Sequence, residues 1–256
     1  MSGPESSRPV PGWAPWGFAL LALAIWEGLV RALGVPVFIL PGPVAIIAAF
    51  LADPLGLAQA LASTLAVTAA ALAAAAALGT ALAALMTASP WARAAIQPWA
   101  VVLQVTPIVA IAPLIIIWID QPFASLVVCA TIVAFFPVFS ATAAGLAATP
   151  RDLRDLFALN GAGAWDELVL LRLPAALPFF LSGLRISGGL ALVGAVVAEF
   201  VAGSGGFASG LAYRILEAGY RLQIPRMFAA LVLLSLAGLA INAGLGWVER
   251  RALADR

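Results

Sequence analysis

Several stretches of this chain run for the length of a membrane crossing with almost no charge, and that limits its fold more than any other feature. Residues 63–86, 99–119 and 123–147 contain no Asp, Glu, Lys or Arg, and 226–248 carries only Arg226 at its edge. About 20 apolar residues in a helix cross a hydrocarbon core of about 30 Å. The runs are long and lack the alternation of a barrel strand, so they predict helices rather than an outer-membrane barrel. Only 10% of the 256 residues are charged and mean hydropathy is +1.08, whereas a soluble domain carries about 25% charged residues. The chain reads as an all-α integral membrane protein of about six spans.

In order, residues 1–15 are rich in Ser, Pro and Gly and read as a short tail rather than a cleaved signal. The first span is expected at 16–33, with Trp16 and Trp26 as interfacial anchors and Glu27 and Arg31 one helical turn apart as a local ion pair. Prolines 36, 41 and 43 interrupt the next segment, and a short apolar helix follows Pro43, either interfacial or re-entrant. The second span, 63–86, is dominated by alanine, which lets helices approach closely in lipid. A third is expected at 99–119, kinked by Pro107 and Pro113, a fourth at 123–147, a fifth at 178–200 and a sixth at 226–248. Between the last two, residues 201–225 form a Gly-rich loop with a short amphipathic stretch, 210–220. Residues 249–256 form a second tail, so 16–248 reads as a single transmembrane domain.

Orientation follows from arginine, the only basic residue type in the chain. With the N-terminus inside, Arg8, Arg93, Arg151, Arg154, Arg172, Arg250, Arg251 and Arg256 share one side. Arg31, Arg214, Arg221 and Arg226 share the other. The richer side is cytoplasmic by the positive-inside rule. An even number of spans then puts both termini in the cytoplasm, together with the polar segment 149–178.

That segment, TPRDLRDLFALNGAGAWDELVLLRLPAALP, lies between two apolar runs and belongs outside the hydrocarbon. Thr149 and Pro150 are expected to start a helix whose apolar face holds Leu153, Leu156 and Phe157, with Asn160 beside them. Gly161 and Gly163 end it. A second helix is expected over 164–173, with Asp166 and Glu167 in its first turn, where the dipole favours anions. Its apolar face would hold Leu168, Leu171 and Trp165. Leu173-Pro174 is then expected to turn the chain back toward the membrane.

The segment resembles the EAA loop of binding-protein-dependent ABC importer permeases. The acidic position falls on Asp155, and Leu156 and Phe157 stand where the pattern has Ala-Ala. Gly161 occupies the glycine position, Leu171 the isoleucine position, and Leu173-Pro174 the Leu-Pro pair. FILPGPVAI near residue 38, TPIVAIAPLIIIW at 106–118, GLR at 183–185 and AEF at 198–200 extend the resemblance to the nitrate/sulfonate/taurine branch, which includes importers of pyrimidine and riboflavin-type precursors. The resemblance implies a permease of the bacterial inner membrane whose residues 149–176 form the coupling loop. It also implies a homodimer, cytoplasmic ABC ATPase subunits, a periplasmic or lipid-anchored substrate-binding protein, and no cofactor beyond the ATP bound by the partner.

Four polar residues outside the loop are pathway or gate candidates. Gln104 and Thr106 flank the Pro107 kink and either line a cavity or satisfy a neighbouring helix. Arg185, two turns into the fifth span, either lines the pathway or attracts an anionic substrate, or else snorkels to the cytoplasmic interface or pairs within the dimer. Glu199 stands at the outer end of that span, either as part of a gate or as an interfacial carboxylate without a role. Residues Gly183, Gly188, Gly189 and Gly194 of the fifth span are expected to serve close packing.

The residue inventory also excludes chemistry. With no histidine, a Ser-His dyad or a His-metal site is impossible, and the single cysteine, Cys129, leaves no disulfide or cysteine-metal cluster. With no lysine, Gly203, Gly205 and Gly206 cannot belong to a Walker A loop. Nothing in the charge pattern points to nucleic acid. The alternative to an ABC permease is an ion-coupled secondary transporter, which calls for a carboxylate near mid-membrane and commonly for an inverted repeat; neither is legible here.

Overall fold

A computed structural model describes residues 13–203 and 209–254 of the chain. The expectations resting on Arg8, Gly205, Gly206, Arg256 and the side chain of Trp16 lie outside the described residues. Those residues form helices and connections: α1 (Ala14–Ala32), α2 (Pro43–Ala52), α3 (Pro54–Ala88), α4 (Pro90–Val105), α5 (Ile108–Trp118), α6 (Pro122–Ala147), α7 (Arg151–Leu159), α8 (Ala164–Asp166), a π-helical turn (Glu167–Arg172), α9 (Leu173–Ala202), α10 (Leu211–Tyr220) and α11 (Ile224–Leu253).

Helices α3, α6 and α9 form the central trio. The alanine-rich sequence of α3 buries a stripe of small side chains, Thr64, Val67, Thr68, Ala71, Ala75, Gly79 and Ala83, at the three- and four-residue spacing of one helix face. Ala130 and Ala134 of α6 and Ala191, Ala195 and Ala198 of α9 meet that stripe. Small residues are what bring backbones together in lipid, where packing rather than hydrophobicity drives association. Two glycines expected to serve packing do so in this trio. A Cβ on Gly183 would stand 2.6 Å from Cβ of Ala141 and 2.8 Å from the Pro137 carbonyl, and one on Gly194 would stand 2.8 Å from Cα of Ala130. Gly188 is likewise filled by Leu245, whereas Gly189 faces open space. The Ser187 hydroxyl donates to the Ala134 carbonyl at 2.6 Å and ties α9 to α6.

A second apolar cluster joins Ile46 of α2, Leu57 and Ala60 of α3, Leu211 and Ile215 of α10, and Ala229 and Ala230 of α11. Helix α1 packs against this group through Trp26. It is held by the Glu27 carboxylate, which accepts from the Val44 N–H at the start of α2 (3.1 Å) as well as pairing with Arg31 (2.6 Å). Trp26, expected as an interfacial anchor, instead packs in that cluster, with its ring 6.3 Å from Phe228.

Among the described residues, four helices are long and apolar enough to cross a membrane: Pro54–Ala88, Pro122–Ala147, the continuous stretch Ala164–Ala202, and Ile224–Leu253. The third expected span takes another form. Rather than one kinked helix over 99–119, the chain makes two helices, α4 and α5, bent by 103° at the break. Thr106 and Pro107 both adopt extended backbone there, with ψ of 121° and 109°. Pro107 lacks an N–H, and its ring disfavours a helical conformation in the residue before it. Pro98 and Pro113, by contrast, are carried inside their helices. The second span begins at Pro54 rather than residue 63, because the Asp53 side chain accepts from the Gly56 N–H and caps α3 early. Around the expected amphipathic stretch, α10 forms with Leu211, Ala212, Ile215 and Ala218 buried.

Candidate functional site

The polar segment after α6 builds one structural unit. Thr149 is not the cap expected of it: its hydroxyl turns back to the Leu146 carbonyl, and Pro150 is the residue that precedes the helix. Helix α7 ends as the glycines predict. Gly161 has φ +76°, its N–H bonds the Ala158 carbonyl, and the Ala162 N–H bonds the Phe157 carbonyl. This is the paired closure of a Schellman turn, which places a left-handed residue where glycine is least strained. The side chains of α7 remain in the open: Leu153, Leu156 and Leu159 are 43%, 53% and 85% exposed. Asp155 is exposed on the same helix and Phe157 is half-buried.

The second half of the segment departs from expectation. Helix α8 starts at Gly163, whose N–H is bonded by the Asp166 carboxylate (3.0 Å), but no separate helix ends at Leu173. The chain passes through the π turn directly into α9, so Ala164–Ala202 is one 39-residue helix. The widened register sits just before Pro174, which has no N–H to give to the carbonyl one turn back. Leu173-Pro174 therefore does not redirect the chain. Leu168 and Leu173 face inward, against the cluster of Phe135, Phe139, Leu146 and Ala176. Leu171 and Pro174 are half-buried, and Trp165 points away at 73% exposure.

A clamp that sequence reasoning missed joins the two halves. Glu167 accepts from Arg154 on α7 (2.6 Å) and from Arg172 on the far side of the π turn (2.6 Å). One carboxylate thus holds the exposed helix to the root of the long one. The signal was a 13-residue separation across the Gly161 turn, which only the fold converts into contact.

The four other candidates are dispersed. Gln104 and Thr106 line a cavity of about 260 Å³ at the α4–α5 break, together with Ile108, Val133, Phe136 and Leu190. Thr106 donates to the Val102 carbonyl (2.6 Å). Arg185 bridges to α11, donating to Asn242 (2.9 Å) and pairing with Glu249 at 3.5 Å. Glu199 is buried inside the protein, 3% exposed, accepting from the Thr64 hydroxyl (2.8 Å) and from the Ala212 N–H (3.0 Å). Thr64 went unrecognised in the sequence because it sits in an alanine-rich span 135 residues away. Among the described residues no group of three or more His, Cys, Asp or Glu is placed to hold a metal ion.

Apolar helices of crossing length, packed by small residues and joined by an exposed polar segment, define a multi-pass membrane protein. Residues 75–253 match the family described as binding-protein-dependent transport system inner membrane component, and the chain belongs to that family of ABC transporter permeases. It is a multi-pass inner-membrane protein. Curated relatives include a probable ABC transporter permease protein of Haemophilus influenzae, 34% identical over 229 residues, covering 90% of this chain and 92% of the relative. The riboflavin transport system permease protein RibX of Chloroflexus aurantiacus is 35% identical, covering 90% and 85% respectively. The formylaminopyrimidine transport permease protein ThiX of Halalkalibacterium halodurans is 34% identical, covering 88% of each chain.

Proposed function

We propose that this permease takes its driving force through residues 149–176, which dock a separate cytoplasmic ABC ATPase. The observation that carries the reading is the exposed apolar face of α7, with Leu153, Leu156 and Leu159 uncovered on a helix that Arg154 ties to Glu167. An amphipathic helix of this kind seats in a groove of a partner, and Asp155 lies beside the apolar face. Because α8, the π turn and α9 are continuous, displacement of the docked helix moves the fifth span as a rigid body. In this reading both termini face the cytoplasm, the expected six spans are completed by α1 and the α4–α5 pair, and two copies of the chain enclose the pathway. ATP is bound and hydrolysed by the partner, so this chain is a non-catalytic subunit that receives its solute from a periplasmic or lipid-anchored binding protein.

The cavity at the α4–α5 break bears on the solute. Its polar groups are Gln104 and Thr106, no ionisable side chain among the described residues lines it, and Phe136 offers an aromatic face. An anion such as nitrate or a sulfonate would lose hydration there without a compensating charge. A vitamin or pyrimidine precursor with uncharged hydrogen-bonding groups suits the wall better, in line with the names of two of the relatives.

The test is co-purification with the ATPase from the native host. Leu156→Arg should abolish recovery of the ATPase while leaving the permease folded, and full recovery would refute the docking. In liposomes carrying the assembled complex, ATP-dependent accumulation of riboflavin or formylaminopyrimidine should exceed that of nitrate and taurine.

A further inference from the structure

We infer that Thr64 and Glu199 are positioning residues that latch the outer helix α10 to the far end of the coupling helix, so that the stroke entering at the docking loop is released there. This rests on the docking reading above. Glu199 lies near the end of the same 39-residue helix whose root is clamped to α7. At 1.5 Å per residue the carboxylate stands roughly 50 Å from Asp166 along the axis, at the opposite end of the molecule from α7.

The latch has three hydrogen bonds. Glu199 accepts from the Thr64 hydroxyl and the Ala212 N–H, and the Thr64 oxygen accepts from the Leu211 N–H (2.9 Å). Leu211 and Ala212 are the first two residues of α10, whose N–H groups have no partner within the helix. The carboxylate also faces the positive end of the α10 dipole. Three helices, α3, α9 and α10, therefore meet at one buried polar joint. Both side chains are buried, Thr64 at 0% and Glu199 at 3% exposure. The joint is tight on the α10 side, where a Cβ on Gly210 would fall on the Glu199 carboxylate.

Its place in the packing argues for release rather than mere capping. Thr64 sits between Ala60, in the cluster shared with α10 and α11, and Val67, in the cluster shared with α6 and α9. Helix α3 runs through both apolar clusters, and the polar joint lies between them where α3, α9 and α10 meet. Drawing the end of α9 away from α3 and α10 breaks the bonds that Glu199 makes, while α3 keeps its packing against α10 and α11 in the second cluster. Buried hydrogen bonds have discrete made and broken states, the property a switch between two arrangements needs.

The complex with its own ATPase, in phosphatidylethanolamine–phosphatidylglycerol liposomes, provides the test, with ATP and vanadate as the probe. Thr64→Val keeps the shape and removes the hydroxyl, so two of the three bonds are lost. The expected result is basal ATP hydrolysis, without binding protein, raised by at least about threefold, and amide exchange at Ala212 raised by about tenfold before any nucleotide is added. A purely structural defect would lower hydrolysis instead. Thr64→Ser, which restores the hydroxyl, should return both readouts to parental values. Parental hydrolysis and exchange in Thr64→Val would overturn the latch. If Thr64→Val does not accumulate, the parent decides alone: exchange at Ala212 must rise by about tenfold on vanadate trapping, and equal exchange in both states overturns the inference. Failure of the docking reading is separately visible, since Leu156→Arg would then leave recovery of the ATPase by co-purification unchanged.

Discussion

Arg154 and Glu167 meet at 2.6 Å across the Gly161 turn, and this contact joins the exposed helix α7 to the root of the helix that runs from Ala164 to Ala202. Arg172 reaches the same carboxylate from the other side. The pairing sets the angle between the two parts of the segment, which is the angle a docked partner would act on.

Glu167→Gln should therefore separate coupling from stability. Partly exposed ion pairs contribute about 1 kcal/mol or less, so thermal unfolding in detergent should move little. Recovery of the ATPase by co-purification, or its stimulation in the complex, should fall by about tenfold, the equivalent of 1.4 kcal/mol of binding. A variant that melts normally and still couples fully would show the clamp to be dispensable.

Gly161→Val should act on the turn itself. The left-handed backbone at φ +76° costs a residue with a Cβ roughly 1–2 kcal/mol, and a β-branched one at the upper end. No atom crowds the position, so the penalty is conformational. Gly161→Asn, which tolerates that region, should retain most of the coupling that Gly161→Val loses, as read by ATPase stimulation.

Two glycines of α9 should respond oppositely to the same change. Gly183→Ala forces a methyl to within 2.6 Å of Ala141 and 2.8 Å of the Pro137 carbonyl, and overpacking of this kind costs about 1–3 kcal/mol. Gly189→Ala meets nothing within 4 Å and should unfold at or slightly above the parental temperature, given the higher helix propensity of alanine. Thermal denaturation of the purified permease compares the two directly.

Gln104→Leu should weaken transport without disturbing assembly. Gln104 lines the cavity at the α4–α5 break and is exposed, so folding does not depend on its amide. Loss of one hydrogen bond to a passing solute is worth about 1 kcal/mol, or roughly a fivefold fall in uptake at low solute concentration. ATPase recovery should be unchanged, and a fall in both would move Gln104 from pathway to structure.

The spans and the polar segment were legible because hydropathy and punctuation are local. The uncharged runs, the Gly161 stop and the short helix after Pro43 all follow from residues within one or two turns of each other. The break at Pro107 was visible as a kink but not as a 103° bend, because the angle depends on what packs against each half. The second helix of the segment was misjudged at Leu173-Pro174. Proline normally marks a boundary, but a π turn just ahead of it let the helix run on.

The site residues divide along the same line. The Gly161 stop could be placed from the sequence, since the helix it ends lies within the same continuous segment. The Glu167 clamp and the joint of Thr64, Glu199 and the α10 N-terminus could not, because their partners are 13 and 135 residues apart and each residue alone is unremarkable in its span. The sequence by itself determined that the chain is helical, lives in a membrane and carries one exposed segment able to meet a soluble partner, because burial of apolar length and exposure of charge are properties of composition along the chain. The tertiary structure alone decided that Glu199 is buried and that it meets Thr64 on another span. Which face of a helix is covered depends on its neighbours, and a buried carboxylate is tolerable only where the fold brings donors to it.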